Sequence, residues 1–546
     1  MRPLLPSLVF LFAAIAGVCA EPVSGAASPA IQLPAYPVKG DLVPRIRESW
    51  RHAQIGDFEV LSSGSEKETS DVATSLWKFQ ALFREAFPLA KNLGQEPMTL
   101  VLCDTHAKFH ELLPKATDGF SVRASTCAGD ADGITIVVDL EPNENLPAPM
   151  NAAELLLSTE TGPADLPDPA ADANLTPEQL LDREYIHFVL SRFNPRPPAW
   201  FAEGIAQLYC RLELDGNSYK FGNVDGALMY FFSQRQLMPM EQFFAVNYES
   251  PEFLQPVNEM FSEQAFAFIH LCLYRNQGAL QKPLFELVRR ASREPVTEKL
   301  FKEVFGMSYG GILLKIRSHT DGVSYQSKNA ALSHPLEVPV LDIREATDAE
   351  IGRIKGDTLR LAGRYDAARS ELLSPYQRAN ADPRLLASIA FLDRAQGNTP
   401  VATKYLAMAT NAKVSIPGPY VYLAELRLQE LTTPGNPPLT PAQASELLQL
   451  LGKAAGMNPP RADVYRVLAE VWLHTATPPR PENLTVLDSV VKAFPRDSGL
   501  IDAAVRAKLR AGAKADAVAF ADIGLRSAAD DATKKKFAEL KAQATR

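Results

Sequence analysis

The sequence runs to 546 residues, 46% hydrophobic and 22% charged, with a formal charge of −8 at pH 7. That length calls for several domains and supplies enough apolar surface for real cores. The acidic balance, with basic residues grouped only at Lys534, Lys535 and Lys536, argues against a nucleic-acid or anionic-membrane partner, because phosphates demand clustered Lys and Arg.

The chain opens with "MRPLLPSLVFLFAAIAGVCA", a basic start, an apolar run and small residues around Cys19 and Ala20. That pattern reads as a secretory signal over residues 1–20, cleaved after Ala20. Val18 stands where a lipobox wants a small residue, so lipidation is not expected. No later run reaches the ~18 apolar residues of a membrane span. The expectation is an exported protein, periplasmic or extracellular, without an integral membrane segment after cleavage. Four cysteines follow the signal: Cys103, Cys127, Cys210 and Cys272. An exported compartment permits disulfides. Cys103, at the end of a strand-like run, and Cys127, in a nearby polar loop, are the first pairing expected. Cys210 and Cys272 sit in apolar helical surroundings and read as buried thiols.

A Pro/Ala/Gly-rich leader over residues 21–45 precedes the first folded region. "DFEVLSS" alternates like a strand. An amphipathic helix over 66–88 then places Val72, Leu76, Phe79, Leu82 and Phe83 on one face. "MTLVLC" and "GITIVVDL" are further strands, and a short helix around "HAKFHELLP" separates them. After a Pro/Asp/Ala-rich loop over 141–175, Thr176, Pro177 and Gln179 carry a helix start with a capping box. That helix should run to about Phe193, where "NPRPP" stops it, and a second should run from Trp200 to about Tyr209. Helices are expected at 225–236, 240–246, 260–277, 281–291, 296–306 and 308–318, then a linker over 319–345.

Beyond 345 the composition shifts to Ala- and Leu-rich helices with spaced prolines. "RLAGRYDAARSELL" and "RAQGNTPVATKYLAMA" superimpose with a shift of 34 residues, matching Gly363 to Gly397, Ala368 to Ala402 and Leu372 to Leu406. Prolines at Pro383, Pro417, Pro459 and Pro495 punctuate the units, and "TTPGNPPLTP" lengthens one of them. A period near ~34 with two helices per unit resembles the tetratricopeptide repeat, with about four degenerate units over 346–546. Small residues at Gly363 and Ala368 are expected to let helices approach, each unit burying its apolar face on its neighbour.

The chemistry concentrates in "DREYIHFVLSRFNPRPPAWFAEGIAQLY". On the first helix Arg183, Glu184 and His187 stand at i, i+1 and i+4, so Arg183 and His187 share a face. In an HExxH zinc motif those two positions hold imidazoles and the glutamate activates the metal-bound water. Glu203, on the following helix, is placed to supply a third ligand. With "PPAWFAEGIAQLY" and the later "FSEQAFAFIHLCLY", residues 46–318 resemble exported gluzincin metallopeptidases of the peptidase MA-like type. The resemblance implies an α+β zincin-like N-terminal domain, a small sheet plus helices, ahead of an all-α tetratricopeptide-like solenoid. It implies Glu184 as general base and His187 and Glu203 as zinc ligands. It fails at Arg183, which replaces the first ligand histidine.

A guanidinium stays protonated and offers no lone pair to a metal. One imidazole and one carboxylate fall short of the three protein ligands a catalytic zinc needs. Arg183 is instead expected to pair with Glu203 or Glu184, filling the metal position with an ion pair. The reading is therefore a pseudoenzyme without a cofactor, binding protein or peptide partners through its repeats. The alternatives are an active zinc peptidase with an unconventional ligand set, and a structural envelope protein whose cleft is unused. The candidate replacement ligands are His106, His110, His270 and Asp182. His106 and His110 show ligand spacing but no acidic partner in sequence, and read as surface or capping residues. His270 reads as a packed helix residue. Asp182 points about 100° away from Arg183 around the helix.

Overall fold

The computed structural model describes residues 49–545 except 57, 89–96, 116–124, 142–175, 194–195, 223–235, 255–258, 292–293, 321–327, 379–381, 459 and 529. The signal and leader, the long loop and the helix expected at 225–236 lie outside the described residues. The rest divides into two compact units. One holds residues up to Thr347 together with Thr358–Arg364, and the other Asp348–Asp357 with Tyr365–Arg546.

The first unit is built on a mixed six-stranded sheet. Its strands are β1 (Arg51–Ile55), β2 (Phe58–Ser62), β3 (Met98–Cys103), β4 (Ser125–Gly129), β5 (Ile134–Asp139) and β9 (Arg344–Glu345), in the order β4-β5-β3-β2-β1-β9. β2, β3 and β5 run parallel, while β4 at one edge and β1 and β9 at the other are antiparallel to their neighbours. The parallel connection from β2 to β3 is made by α1 (Glu66–Ala86). A reciprocal capping box between Ser65 and Glu68 starts it, and it buries all five residues of the anticipated apolar face. Two further helices follow in sequence, α2 (His106–Glu111) after β3 and α3 (Pro177–Ser191) after residues 142–175. The Thr176–Gln179 capping box starts α3 as the sequence anticipates. Tyr185 of α3 packs perpendicular to the rings of Phe79 and Phe83 from α1, which ties α3 to α1.

The helix α4 (Ala199–Tyr209) follows the proline turn, and every one of its residues is buried. Next come a three-stranded sheet of β6 (Glu213–Asp215), β7 (Ser218–Phe221) and β8 (Lys328–Ala331), and the helices α5 (Met240–Ala245), α6 (Glu259–Tyr274), α7 (Gln281–Ala291), α8 (Glu298–Phe305) and α9 (Tyr309–Thr320). α6 ends at Tyr274 instead of continuing to 277, because Asn276 and Gln277 adopt left-handed backbone angles. The stretch read as a linker carries β8 and β9, strands too short and too polar to show a period of two.

The expected Cys103–Cys127 disulfide is not formed. Cys127 lies on β4, not in a loop, and β5 separates it from β3. Two strand steps are about 9–10 Å, beyond the roughly 7 Å Cα separation a disulfide tolerates.

From Asp348 onward the described chain is all helix. Its helices follow one another in pairs: α10 (Asp348–Leu361) with α11 (Tyr365–Gln377), α12 (Pro383–Ala395) with α13 (Thr399–Asn411), α14 (Gly418–Leu431) with α15 (Pro441–Ala455), α16 (Ala462–His474) with α17 (Pro481–Ala493), and α18 (Ser498–Arg510) with α19 (Lys514–Ser527). α20 (Asp531–Thr545) closes the array. That makes five pairs among the described residues, one more than the sequence period suggests. Ala368, Ala402, Leu372 and Leu406 are all fully buried, so the 34-residue shift maps core onto core. Gly363 has another task than the one anticipated. It and Gly397 sit at φ +75° in the turns within their pairs, where a side chain would be strained. Close helix approach falls to Gly352 and Gly356. A Cβ at Gly352 would come 2.6 Å from the Glu371 carbonyl, and one at Gly356 would meet Leu372 at 2.5 Å.

Candidate functional site

α3 and α4 meet through four side chains. Glu203 of α4 is buried, and its Oε2 accepts twice. Arg183 Nη2 donates to it at 2.5 Å and His187 Nε2 at 3.1 Å. The second Arg183 nitrogen, Nη1, donates to Glu184 Oε1 at 3.0 Å. The Arg183 side chain is 1% exposed, whereas Glu184 and His187 reach solvent at 15% and 11%. The structure thus brings together all four residues singled out in the motif.

α4 extends the network along one face. Gln207 Nε2 donates to Glu203 Oε1 at 3.1 Å, and Arg211 Nη1 donates to Gln207 Oε1 at 3.1 Å. Sequence reasoning missed Gln207, which shares a helical face with Glu203 at a spacing of four, and Arg211, which lies just past the end of α4. Phe253 turns its ring edge to His187, with centroids 5.5 Å apart. Beside it Tyr248 donates to the Pro197 carbonyl at 2.7 Å and lies under the Arg196 guanidinium.

Burial, and then the Arg183 charge, hold the His187 imidazole below its ordinary pKa against the pull of Glu203. The neutral tautomer that donates from Nε2 leaves the lone pair on Nδ1, which is buried and has no hydrogen-bond partner. A zinc ion does not fit this donor set. The Arg183 guanidinium brings a positive charge and no lone pair, and the Glu203 oxygen that His187 faces already accepts from it.

Gly204 explains how α4 lies so close to its neighbour. A Cβ there would meet Ile269 and come 2.6 Å from the Ala265 carbonyl of α6. Gly204→Ala should therefore force α4 from α6 and lower stability by about 1–3 kcal/mol, read as a lower urea midpoint.

None of the substitute ligands joins the cluster. Asp182 is buried with Oδ1 unpartnered, and desolvation, followed by Glu178, raises its pKa well above the ordinary aspartate value. His270 contacts His319 and Gly222. His110 is exposed on α2. His106 is a surface side chain as expected, but it has acidic neighbours. Its Nδ1 lies 2.5 Å from Asp139 Oδ2 and 3.7 Å from Glu141 Oε2. These acidic partners are invisible in sequence because they lie at the end of β5, a strand that pairs in parallel with the one preceding His106.

No protein-family model matches the sequence, and no curated protein matches it. A solved structure similar to part of the chain is a thermophilic TPR protein of Thermus thermophilus. It is 20% identical and covers 36% of this chain and 98% of that chain, with a TM-score of 0.26. The repeat is carried by the successive helix pairs, by left-handed glycines at Gly363, Gly397 and Gly512 in turns within three of them, and by core positions of the first pair that recur 34 residues on in the second. The C-terminal region is a tetratricopeptide-like helical repeat. Among the described residues no helix is long and apolar enough to cross a membrane.

Proposed function

We propose that the N-terminal unit is a gluzincin-like, peptidase MA-like domain that has lost zinc catalysis, and that the exported chain works by binding peptide or protein partners. The observation that carries this reading is the buried Arg183–Glu203 pair, closed at 2.5 Å with His187 on the same oxygen. A protonated guanidinium stands where a dication and its first ligand would be. Without an acidified water Glu184 has no proton to abstract, and its carboxylate is engaged by Arg183 instead.

Two features support the binding role. β4 is an edge strand packed beside α3, and an edge offers unpaired backbone groups to an extended chain. The helical repeat adds the kind of stacked surface that commonly holds partner segments.

The test supplies zinc to the purified chain and to Arg183→His. The natural chain should hold no zinc that depends on Glu203 and should leave fluorescein-labelled denatured casein uncut while raising its anisotropy. Arg183→His should gain about one zinc equivalent, lost again when Glu203→Ala is added. Zinc in the natural chain that disappears with Glu203→Ala, together with casein cleavage, overturns the reading.

A further inference from the structure

Because β2, β3 and β5 are parallel, their carboxyl ends finish at one edge of the sheet. Chain segments leaving parallel strands converge there, and ligands commonly bind at such an edge. At this edge β3 leads through Asp104 and Thr105 into His106, while β5 ends at Asp139 and is followed by Leu140 and Glu141. We propose that His106, Asp139 and Glu141 form a binding site for a first-row transition dication, zinc foremost, separate from the Arg183 cluster.

The geometry carries the assignment. One donor atom from each of the three side chains lies within 4.8 Å of the other two. Ligands held at about 2.0–2.2 Å around a tetrahedral zinc stand about 3.3 Å apart. His106 Nδ1 is 2.5 Å from Asp139 Oδ2 and 3.7 Å from Glu141 Oε2, values that bracket this separation. Small torsional adjustments of two exposed side chains bring them to it. His106 and Glu141 are 44% and 43% exposed, which leaves a path for the ion and room for water as a further ligand, while Asp139 is 6% exposed and anchors the site.

The carboxylates are already oriented by backbone. The Glu141 N–H donates to Asp139 Oδ1 at 3.1 Å, turning Oδ2 toward His106. The His106 N–H donates to Glu141 Oε2 at 2.6 Å. Such bonds to ligand carboxylates are what hold metal donors in place. The neighbouring cation, Lys108, is drawn to Asp104 at 2.8 Å. Among the described residues the ion-pair partner of both Asp139 and Glu141 is His106. Two carboxylates with a neutral imidazole carry a charge that a dication balances. An imidazole with two carboxylates is a donor set zinc accepts, and it lacks the carbonyls of a calcium site. Unlike the Arg183 cluster, each group here has a lone pair to give.

The test titrates Zn2+ into the full chain by calorimetry at neutral pH and follows thermal unfolding in parallel. The natural chain should bind about one equivalent with a raised Tm, since an ion bound to the folded state stabilises it. His106→Ala and Glu141→Gln, both at exposed side chains, should weaken that binding about 100-fold or abolish it, and His110→Ala, at an exposed side chain outside the cluster, should leave it unchanged. Zinc binding that survives His106→Ala, that is lost with His110→Ala, or that is absent from the natural chain overturns the proposal. Mn2+ run in the same titration should bind more weakly. Preference for Mn2+ over Zn2+ overturns the choice of metal.

Discussion

Arg183→Met is expected to lower the stability of the N-terminal unit by about 3–5 kcal/mol, because removing one partner of a buried ion pair leaves the other charge desolvated. Glu203 is 1% exposed and would keep His187 and Gln207 as donors. A neutral imidazole and an amide do not replace a guanidinium as counter-charge. Glu184, also released by the change, reaches water and suffers less. The double variant Arg183→Met/Glu203→Leu should recover most of the loss, since apolar residues of similar volume can replace a buried pair without the desolvation cost. Urea unfolding followed by the fluorescence of Trp200, which packs against Phe243, Phe244 and Phe268 one turn before Glu203, reads both effects. A single variant as stable as the natural chain would mean that Glu203 finds solvent or another donor, and the ion pair would lose its structural role.

How far the site can be read from sequence follows from how local each signal is. Thr176, Pro177 and Gln179 specify the start of α3 through bonds that span three residues, so the helix and its register are visible in a short window. Arg183 and His187 then share a face by helical geometry alone. Glu203 is visible because the short proline turn leaves α4 little room to do anything but return. His106, Asp139 and Glu141 belong together through a parallel strand pairing, and no local period records which strands pair. The expected Cys103–Cys127 bond fails for the same reason, since proximity in sequence hides the intervening strand β5. β1 and β4, with "RHAQI" and "STCAG", are held by their neighbours in the sheet and carry little strand character of their own. In the repeats, alanine and leucine positions are legible as core, while the left-handed angle that Gly363 supplies leaves no trace in composition.

Acidification from pH 7.5 to about 4.5 should destabilise the N-terminal unit through His270 and His319. His319 Nε2 donates to His270 Nδ1 at 2.9 Å, and His270 Nε2 faces the Gly222 carbonyl at 3.3 Å. This chain of bonds requires a neutral His270, because a second proton on its Nδ1 would confront the His319 N–H. Phe266 and Tyr274 pack their rings against His270, and the nearby Arg275 charge adds to the cost of an imidazolium at His319. Burial lowers the His270 pKa to about 4, and burial followed by His270 and Arg275 lowers that of His319 to about 4. Between that value and the ordinary 6.5 the unfolded chain binds more protons than the folded one, so stability rises with pH across this window. The contribution is complete above about 6.5 and is lost as pH falls toward 4. At about 1.4 kcal/mol per pH unit it amounts to roughly 3 kcal/mol for His270, and less for the more exposed His319. Urea midpoints measured across the window should fall less steeply in His270→Gln/His319→Gln, whose amides can still hydrogen-bond but do not titrate. Equal slopes in the two proteins would assign the acid sensitivity to carboxylates elsewhere and leave the histidine pair without a share in it.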